Sequence, residues 1–285
     1  MIRVITVIGH GIELLPHFIE HYSFADEIDL IVYSNELYPY IEDDINIIIK
    51  DNPRIKIIHS ENWRVFDWKH VTKLYNDAKN KYPDDWWIVA DIDEFQVYPI
   101  HIQDIINDCN LNGWDLVRGG FIDRIGENGD FPKIRNNTSI FNQYPLMGFF
   151  RTPMSNACPN KICIMKGNIE LTAGQHYANI DGHTTWRWQG WNHPLIAPYD
   201  KYNVQVHHFK WDSTCIDRIK AVADLNKEYA FSKEYQLLYD KLKENDFRVD
   251  IYNKEYMFQY SDYDIRGYYE DCCNWKKIIN KIIAI

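Results

Sequence analysis

The stretch Asp84-Asp-Trp-Trp-Ile-Val-Ala-Asp91-Ile-Asp93-Glu94-Phe95 is an apolar run that ends in a group of acidic residues. A short apolar run bounded by polar residues is typical of a strand that is buried on both faces. Alternation along an extended strand directs the side chains of Asp91 and Asp93 to the same side. The stretch therefore predicts a buried strand over residues 86–90 that delivers two carboxylates to its carboxyl end.

Apolar runs and amphipathic segments alternate on both sides of this strand. Such alternation is typical of an α/β fold, in which a mostly parallel central sheet is covered by helices on both faces. Ligands bind these sheets at the carboxyl ends of the strands, so the residues that follow each strand are candidates for a site. The pattern predicts strands at 2–8, 29–33, 55–59, 115–122, 161–166 and 204–209, and helices at 13–22, 41–49 and 68–81.

The chain shows no internal repeat, low-complexity tract or flexible linker. We therefore expect one main domain at 1–215 and a helical C-terminal extension at 216–285 that packs on it. The extension ends in a basic, amphipathic segment at 275–285. Two interpretations of this segment are open: a last helix packed on the domain, or a peripheral contact with a membrane surface.

The composition excludes some classes of protein. The 285 residues include 31 basic and 41 acidic ones, a net charge of −10, whereas nucleic-acid binders need a basic face. No apolar run approaches the roughly 20 residues of a membrane span, and the first residues lack the pattern of a secretion signal. The six cysteines show no metal-binding spacing. We expect a cytoplasmic protein with reduced cysteines.

The two acids at the end of the predicted strand indicate a cation. Carboxylates that converge at the edge of a sheet repel each other unless a positive charge lies between them. Oxygen ligands of this kind suit Mg²⁺ or Mn²⁺ bridging the phosphates of a substrate. The alternative is a solvated loop in which an acid caps the next helix.

Four stretches of the sequence together carry a resemblance to a known family. They are Ile12–Tyr22, Tyr75–Ala78 with Asp85–Phe95, Gly120–Gly129, and His208–Trp211. In combination they resemble glycosyltransferases of the GT-A type, in particular the family 2 subgroup that carries an Asp-x-Asp-Glu-Phe motif. The resemblance implies a GT-A-like fold and an enzyme that transfers a sugar from a UDP- or GDP-linked donor, a nucleotide-diphosphate sugar. The implied acceptor is a hydroxyl, for example that of a glycan.

The resemblance also implies roles for residues at the strand ends. Asp93 is expected to bind Mn²⁺ or Mg²⁺, and Asp91 to bind the metal or the ribose. Glu94 is expected either to support the metal ligands from behind or to contact the acceptor. His208 is expected to complete the metal shell, with Lys210 on the same face of its strand end binding the diphosphate. The alternative for the histidine is a partly buried imidazole that bonds to backbone carbonyls.

Further candidates lie around these residues. A sugar transfer that inverts the anomeric carbon needs a carboxylate to deprotonate the acceptor hydroxyl, and Asp123 and Asp181 are the candidates for it. Indole rings stack well on sugars, but they also pack under loops. Candidates for the nucleotide side are Gly9, His10, Asn35, Arg64, Lys69 and Lys73, and candidates for the acceptor side are His176, Trp186, Trp188 and Trp191. For the three basic residues, solvated helix charges are an equally good interpretation.

Two other functions compete with glycosyl transfer. Carboxylates at the mouth of a sheet also suit a metal-dependent hydrolase of phosphate esters. A carbohydrate-binding protein without catalysis would use the tryptophans and not the acids. Replacement of Asp93 separates these functions, because a binding protein keeps its affinity for sugar when the metal ligand is lost.

Overall fold

The computed structural model describes residues 1–63, 67–158, 160–185, 193–198, 201–202, 204–225 and 230–253. Within these ranges the chain is an α/β protein with a large, mostly parallel central sheet that is flanked by helices. This confirms the fold class predicted from the sequence, and the arrangement is consistent with a GT-A-like fold.

The chain forms twelve described strands, and those at the predicted places build most of the central sheet. The strands are β1 (Ile2–Ile8), β2 (Glu27–Ser34), β3 (Ile55–Asn62), β4 (Trp86–Val89), β5 (Glu94–Val97), β6 (Leu116–Ile125), β7 (Leu146–Gly148), β8 (Asn160–Lys166), β9 (Glu170–Leu171), β10 (Ala178–Ile180), β11 (His183–Thr184) and β12 (Val204–His208). In the described ranges the central sheet has nine strands, eight of them in the order β3-β2-β1-β4-β8-β6-β12-β5, with β7 beside β6. A small second sheet contains β11, β10 and β9.

The direction of the strands decides which residues meet at each edge of the sheet. Parallel pairing joins β1 to β2 and β4, β2 to β3, and β6 to β12. The pairs β4–β8, β8–β6 and β5–β12 are antiparallel. The beginning of β8 therefore lies at the same edge as the carboxyl ends of β4, β6 and β12.

Helices cover both faces of the sheet. They are α1 (Leu15–His21), α2 (Ile41–Ile49), α3 (Trp68–Lys79), α4 (Ile102–Asn112), α5 (Ile140–Gln143), α6 (Arg151–Ser155), α7 (Cys215–Leu225) and α8 (Ala230–Glu244). Phe18, Ile45 and Ile105 bring α1, α2 and α4 into one apolar core. Val71 and Tyr75 bring α3 into a second core on the opposite face. The sheet is thus buried on both sides, which is why its central strands are apolar along their whole length.

The segment that follows the acidic residues is a strand and not a helix. β5 begins at Glu94 and pairs with the end of β12, where His208 lies opposite Glu94. The next helix begins at Ile102 and takes its cap from the side chain of His101, which accepts a hydrogen bond from the backbone N–H of Gln103. The acidic residues therefore do not cap a helix.

The two described helices of the C-terminal part pack on the end of β6. Trp211, Ile219 and Leu238 form a third apolar cluster with Ile125 and Phe150. The segment 275–285, for which packing and membrane contact were both open, lies outside the described residues. In the part of the chain that the structure describes, no helix is both long enough and apolar enough to span a membrane.

Candidate functional site at the carboxyl edge of the sheet

The acidic segment forms a tight turn between β4 and β5. The backbone N–H of Glu94 donates to the carbonyl of Asp91 at 2.9 Å, and the N–H of Asp91 donates back to Oε2 of Glu94 at 3.1 Å. Phe95 anchors the turn from below, because its ring packs against Phe18 and Phe209 in the core. The Asp-x-Asp-Glu-Phe sequence thus forms a hydrogen-bonded turn that Phe95 anchors in the core, so the positions of its acids are fixed.

Asp91 and Glu94 share a buried lysine that the sequence analysis did not single out. The ammonium of Lys161, at the beginning of β8, lies 2.8 Å from Oε1 of Glu94, 3.4 Å from Oδ2 of Asp91 and 2.6 Å from Oε1 of Gln175. The hydroxyl of Tyr75 lies 3.4 Å from Oδ1 of Asp91. Burial raises the pKa of Asp91 to about 7, although the charge of Lys161 acts against this rise.

Asp93 belongs to a second network, which is centred on His208. Nε2 of His208 lies 3.5 Å from Oδ2 of Asp93, and Nδ1 lies 3.5 Å from Oδ1 of Asp123. Burial opposes ionisation of Asp93, but the imidazole more than compensates and holds the pKa of this carboxyl well below its usual range. Burial likewise lowers the pKa of His208, and the neighbouring carboxylates outweigh it, so that this pKa is raised.

The carboxylate of Asp123 is fully engaged by hydrogen bonds. Oδ2 accepts from the backbone N–H groups of Phe150 and Arg151 at 3.1 and 3.0 Å, and Oδ1 accepts from the indole of Trp211 at 3.1 Å. Although burial raises its pKa, the hydrogen bond to His208 and these donors lower the pKa below the usual value. A buried carboxylate that already accepts this many hydrogen bonds is suited to orienting His208, and less suited to accepting a proton from a substrate.

Cationic side chains follow β12 on the same edge. Lys210 is nearly buried, and its ammonium donates to the hydroxyl of Tyr235 at 2.9 Å. Arg218, on α7, donates to Oδ2 of Asp212 at 2.6 Å and to the carbonyl of Lys210 at 2.8 Å. Burial, followed by the charge of Arg218, lowers the pKa of His10 to about 3. Arg218 is therefore electrostatically part of the site, although the sequence analysis did not select it.

The residues that follow β1 and β2 have local structural tasks. Asn35 joins the two strand ends: its amide donates to the carbonyl of Gly9 at 3.0 Å, and its Oδ1 accepts from the backbone N–H groups of Leu37 and Tyr38. A Cβ atom on Gly9 would overlap the ring of Tyr33. The ring of Tyr33 thus leaves no space for a side chain at position 9, and this steric reason alone explains the glycine.

His176 lies behind the acidic turn. Its Nδ1 bonds to the carbonyl of Asn160 at 2.7 Å, and its ring packs against Phe121. Burial, followed by the charges of Lys161 and Arg151, lowers the pKa of His176 to about 3, so the ring is neutral. This imidazole is thus next to the lysine network, where it supports the residue that precedes Lys161.

Other predicted residues are exposed and have partners elsewhere. Lys69 and Lys73 lie on the solvent face of α3, where Lys73 pairs with Asp77. Asp181 lies in the turn between β10 and β11 with a φ of 51°, and its Oδ2 is 3.2 Å from Nε2 of His193. The remaining candidates, Arg64, Trp186, Trp188 and Trp191, lie outside the described residues.

The site fits a divalent cation between Asp93 and His208. Two neighbouring ligands of one octahedral ion, each about 2.1 Å from it, lie about 3 Å apart. The 3.5 Å between Oδ2 of Asp93 and Nε2 of His208 is close to this spacing. Asp91 faces Lys161 and Tyr75, so the three residues predicted as metal ligands are divided between two adjacent networks.

Comparison with known proteins finds little. No protein-family model matches this chain, and no curated protein matches it. Among solved structures, it is similar to a mannose-6-phosphate isomerase from Helicobacter pylori, with 13% identity, 59% of this chain and 71% of that chain covered, and a TM-score of 0.29. It is also similar to a putative glucose-1-phosphate thymidylyltransferase from Bacillus anthracis in complex with a sucrose, with 9% identity, 86% and 84% covered, and a TM-score of 0.28. Likenesses this distant carry no argument about what the chain does.

Proposed function

We propose that this chain is a metal-dependent glycosyltransferase that moves a sugar from a nucleotide-diphosphate sugar to an acceptor hydroxyl. The observation that carries the proposal is the facing pair of Asp93 and His208, 3.5 Å apart at the carboxyl ends of β4 and β12. Ligands of α/β sheets bind at this edge. The sequence resemblance to GT-A glycosyltransferases includes both residues, and the fold class supports it.

Asp93 and His208 would hold Mn²⁺ or Mg²⁺, which suit carboxylate and imidazole ligands. The ion supplies Lewis-acid stabilisation of the diphosphate leaving group. Asp123 orients the imidazole from behind, since it lies 3.5 Å from Nδ1 while Nε2 faces Asp93. A carboxylate behind a ligating histidine is a common arrangement at metal centres, because it fixes the orientation of the ring.

We propose that Lys210 and Arg218 bind the diphosphate. Both are charged side chains beside the end of β12, and the charge of Arg218 acts on both His10 and Asp93. A positive group near the leaving oxygen stabilises the charge that develops as the bond to the sugar breaks. Asp91, beside Asp93, is placed to accept a hydrogen bond from the ribose.

Among the residues predicted to bind the acceptor, the structure describes Glu94 and His176. Glu94 is almost entirely buried and bonds to Lys161, so a contact with the acceptor would require this bond to break. We therefore propose that Glu94 acts through Lys161 in positioning Asp91. The general base of an inverting transfer is left unassigned, because the oxygens of Asp123 are occupied and Asp181 is exposed in a hairpin turn.

The test is a thermal-shift screen of UDP- and GDP-sugars, each with and without Mn²⁺. At one hundred times the Kd, a ligand adds about 2.7 kcal/mol to the free energy of unfolding, which is a Tm shift on the order of 5 °C or more for a chain of this size. We expect such a shift for one donor class, only with the metal. It should disappear in Asp93→Asn and persist in Asp84→Asn, an exposed acid before the same strand.

Other results would contradict the proposal. If no nucleotide-sugar shifts the Tm with any divalent metal, the donor assignment fails. Rapid metal-dependent release of phosphate from simple phosphate esters would support a hydrolase. An unchanged affinity for sugars in Asp93→Asn, without sugar transfer in the original protein, would support a carbohydrate-binding protein.

A further inference from the structure

A second cluster of possible metal ligands lies away from the acidic turn, between β3 and α3. It contains His59 and Glu61 on β3 and His70 on α3. Nε2 of His70 lies 2.7 Å and Nε2 of His59 lies 3.3 Å from Oε1 of Glu61. The ligand atoms of these three side chains all lie within 4.8 Å of one another, an arrangement that could hold a metal ion.

An irregularity in β3 places these side chains on one face. Leu30 pairs with Ile57, but the next residue of β2, Ile31, pairs with His59, so Ile58 is an extra residue in the strand. A bulge of this kind reverses which side the following residues face. Ile57 packs on the core beneath α2, whereas the ring of His59 faces His70 on α3 at a centroid distance of 6.5 Å.

The third ligand is fixed by the start of α3. The side chain of Asp67 caps this helix by accepting a hydrogen bond from the backbone N–H of Lys69 at 2.8 Å. The cap sets the first turn of the helix, which carries His70. The indole of Trp63 hydrogen bonds to the same carboxylate, Glu61, and its ring packs against His70 at 4.9 Å. The ligand set is therefore positioned from both elements and supported by a neighbour outside it.

One nitrogen of the cluster lacks a hydrogen-bond partner. Nε2 of His59 is buried, and its position 3.3 Å from Glu61 is not aligned for a hydrogen bond. An unsatisfied buried nitrogen costs free energy, which a metal ligand bond would recover.

We propose that His59, Glu61 and His70 form a binding site for a transition-metal ion of the Zn²⁺ class. Ligands of a tetrahedral zinc ion, each about 2.0–2.1 Å from it, lie roughly 3.3 Å apart. The 3.3 Å between His59 and Glu61 matches this spacing, whereas the 2.7 Å between His70 and Glu61 is a hydrogen-bond distance that would lengthen when an ion binds. Two imidazoles and one carboxylate favour zinc over the all-oxygen shells of Mg²⁺ and Ca²⁺. The side chains are 36%, 27% and 39% exposed, so water can occupy the fourth position.

This site is independent of the proposed transferase chemistry. It joins the edge strand β3 to α3, and it lies beside Trp63, whose ring packs against Tyr33 at 5.0 Å. The ion would therefore fix the position of an aromatic pair at the carboxyl edge of the sheet. A failure of the nucleotide-sugar experiment leaves this proposal standing, since the two sites share no ligand.

The test measures zinc binding directly. Metal-free, untagged protein is titrated with Zn²⁺ in competition with a coloured chelator of micromolar affinity. We expect the matched control His183→Ala, an exposed histidine, to bind zinc as the original protein does. His59→Ala and His70→Ala should each weaken binding at least tenfold. Co²⁺ in place of Zn²⁺ should give visible absorption bands in the original protein that are absent from both variants.

Two results would overturn the proposal. The first is an affinity of the original protein too weak to take Zn²⁺ from the chelator, or one equal to that of His70→Ala. The second is a Mg²⁺ titration that displaces the bound Co²⁺ at comparable concentrations, which would show a site of the wrong chemical class. If a histidine variant does not fold, Glu61→Gln provides the same comparison with a side chain of equal size.

Discussion

Replacement of Lys161 by Met tests whether the acidic turn depends on a buried cation. The ammonium of Lys161 is buried and bonds to Glu94, Gln175 and Asp91 at 2.8, 2.6 and 3.4 Å. Methionine fills a similar volume without the charge, so the change isolates electrostatics from packing. The acids would then be buried without a compensating positive charge, which is the situation that buried ion pairs tolerate least.

The expected loss is large because both partners are excluded from water. Removal of one member of a buried ion pair costs about 3–5 kcal/mol. Lys161→Met with Glu94→Gln removes both charges, and it should recover at least about 2 kcal/mol of that loss, since Asp91 alone can become neutral by binding a proton. Lys166→Met, at the other end of the same strand, should cost no more than about 1 kcal/mol, because its ammonium bonds to a carbonyl near the surface.

Urea unfolding at pH 7, monitored by tryptophan fluorescence, measures these differences in the free energy of unfolding. The reasoning is refuted if Lys161→Met loses less than about 1 kcal/mol, as expected for the Lys166 control. It is also refuted if the double variant is no more stable than the single one, because Lys161 would then not stabilise the buried carboxylate of Glu94. Equal m-values across the series would show that the same unfolding transition is being compared.

Two further changes probe the packing around the site. Gly9→Ala should destabilise the protein by about 1–3 kcal/mol in the same urea assay, because the added Cβ overlaps the ring of Tyr33, and Tyr33→Leu should reduce this cost. Burial lowers the pKa of Lys79 to about 8, so between this pH and about 10.4 the unfolded chain binds more protons and stability should rise with pH. From pH 8 to pH 10 the free energy of unfolding of the original protein should rise by about 2 kcal/mol. Lys79→Met should abolish this rise, whereas Lys81→Met, which changes an exposed lysine two residues further along, should keep it. An equal pH dependence in all three proteins would disprove the assigned burial.

The parts of the fold that the sequence predicted are those with long apolar runs. The strands at 2–8 and 86–89 are buried on both faces, so their composition alone reveals them. β5 was not predicted, since Glu94–Val97 has only four residues and no run of apolar ones. Its strand conformation comes from pairing with β12, which is more than one hundred residues away in sequence.

The sequence predicted that the residues following parallel strands would lie at one edge of the sheet, and their roles in a site stay a prediction. Asp93 lies in the turn after β4, and it comes within 3.5 Å of His208 because β5 pairs with β12, where Glu94 lies opposite His208. Lys161 was missed because it precedes an apolar strand, where a charged residue is normally a solvated flank. The strand β8 is antiparallel to its neighbours, and this reversal places its first residues among the carboxyl ends of the others. No local pattern in the sequence specifies that reversal.

The two networks give the two acids of the turn different capacities for a metal ion. The cation that faces Asp91 is tethered to β8 and is shared with Glu94, so an incoming ion at Asp91 meets a carboxylate that is already compensated. Asp93 faces the imidazole of His208 at 3.5 Å in its ion pair, and an imidazole is itself a metal ligand. In the proposed function, a divalent ion would bind between Asp93 and His208 and leave the lysine network intact. The lysine thus makes the two acids electrostatically unequal, and in the proposed function the two neighbouring carboxylates would hold different groups of the same substrate.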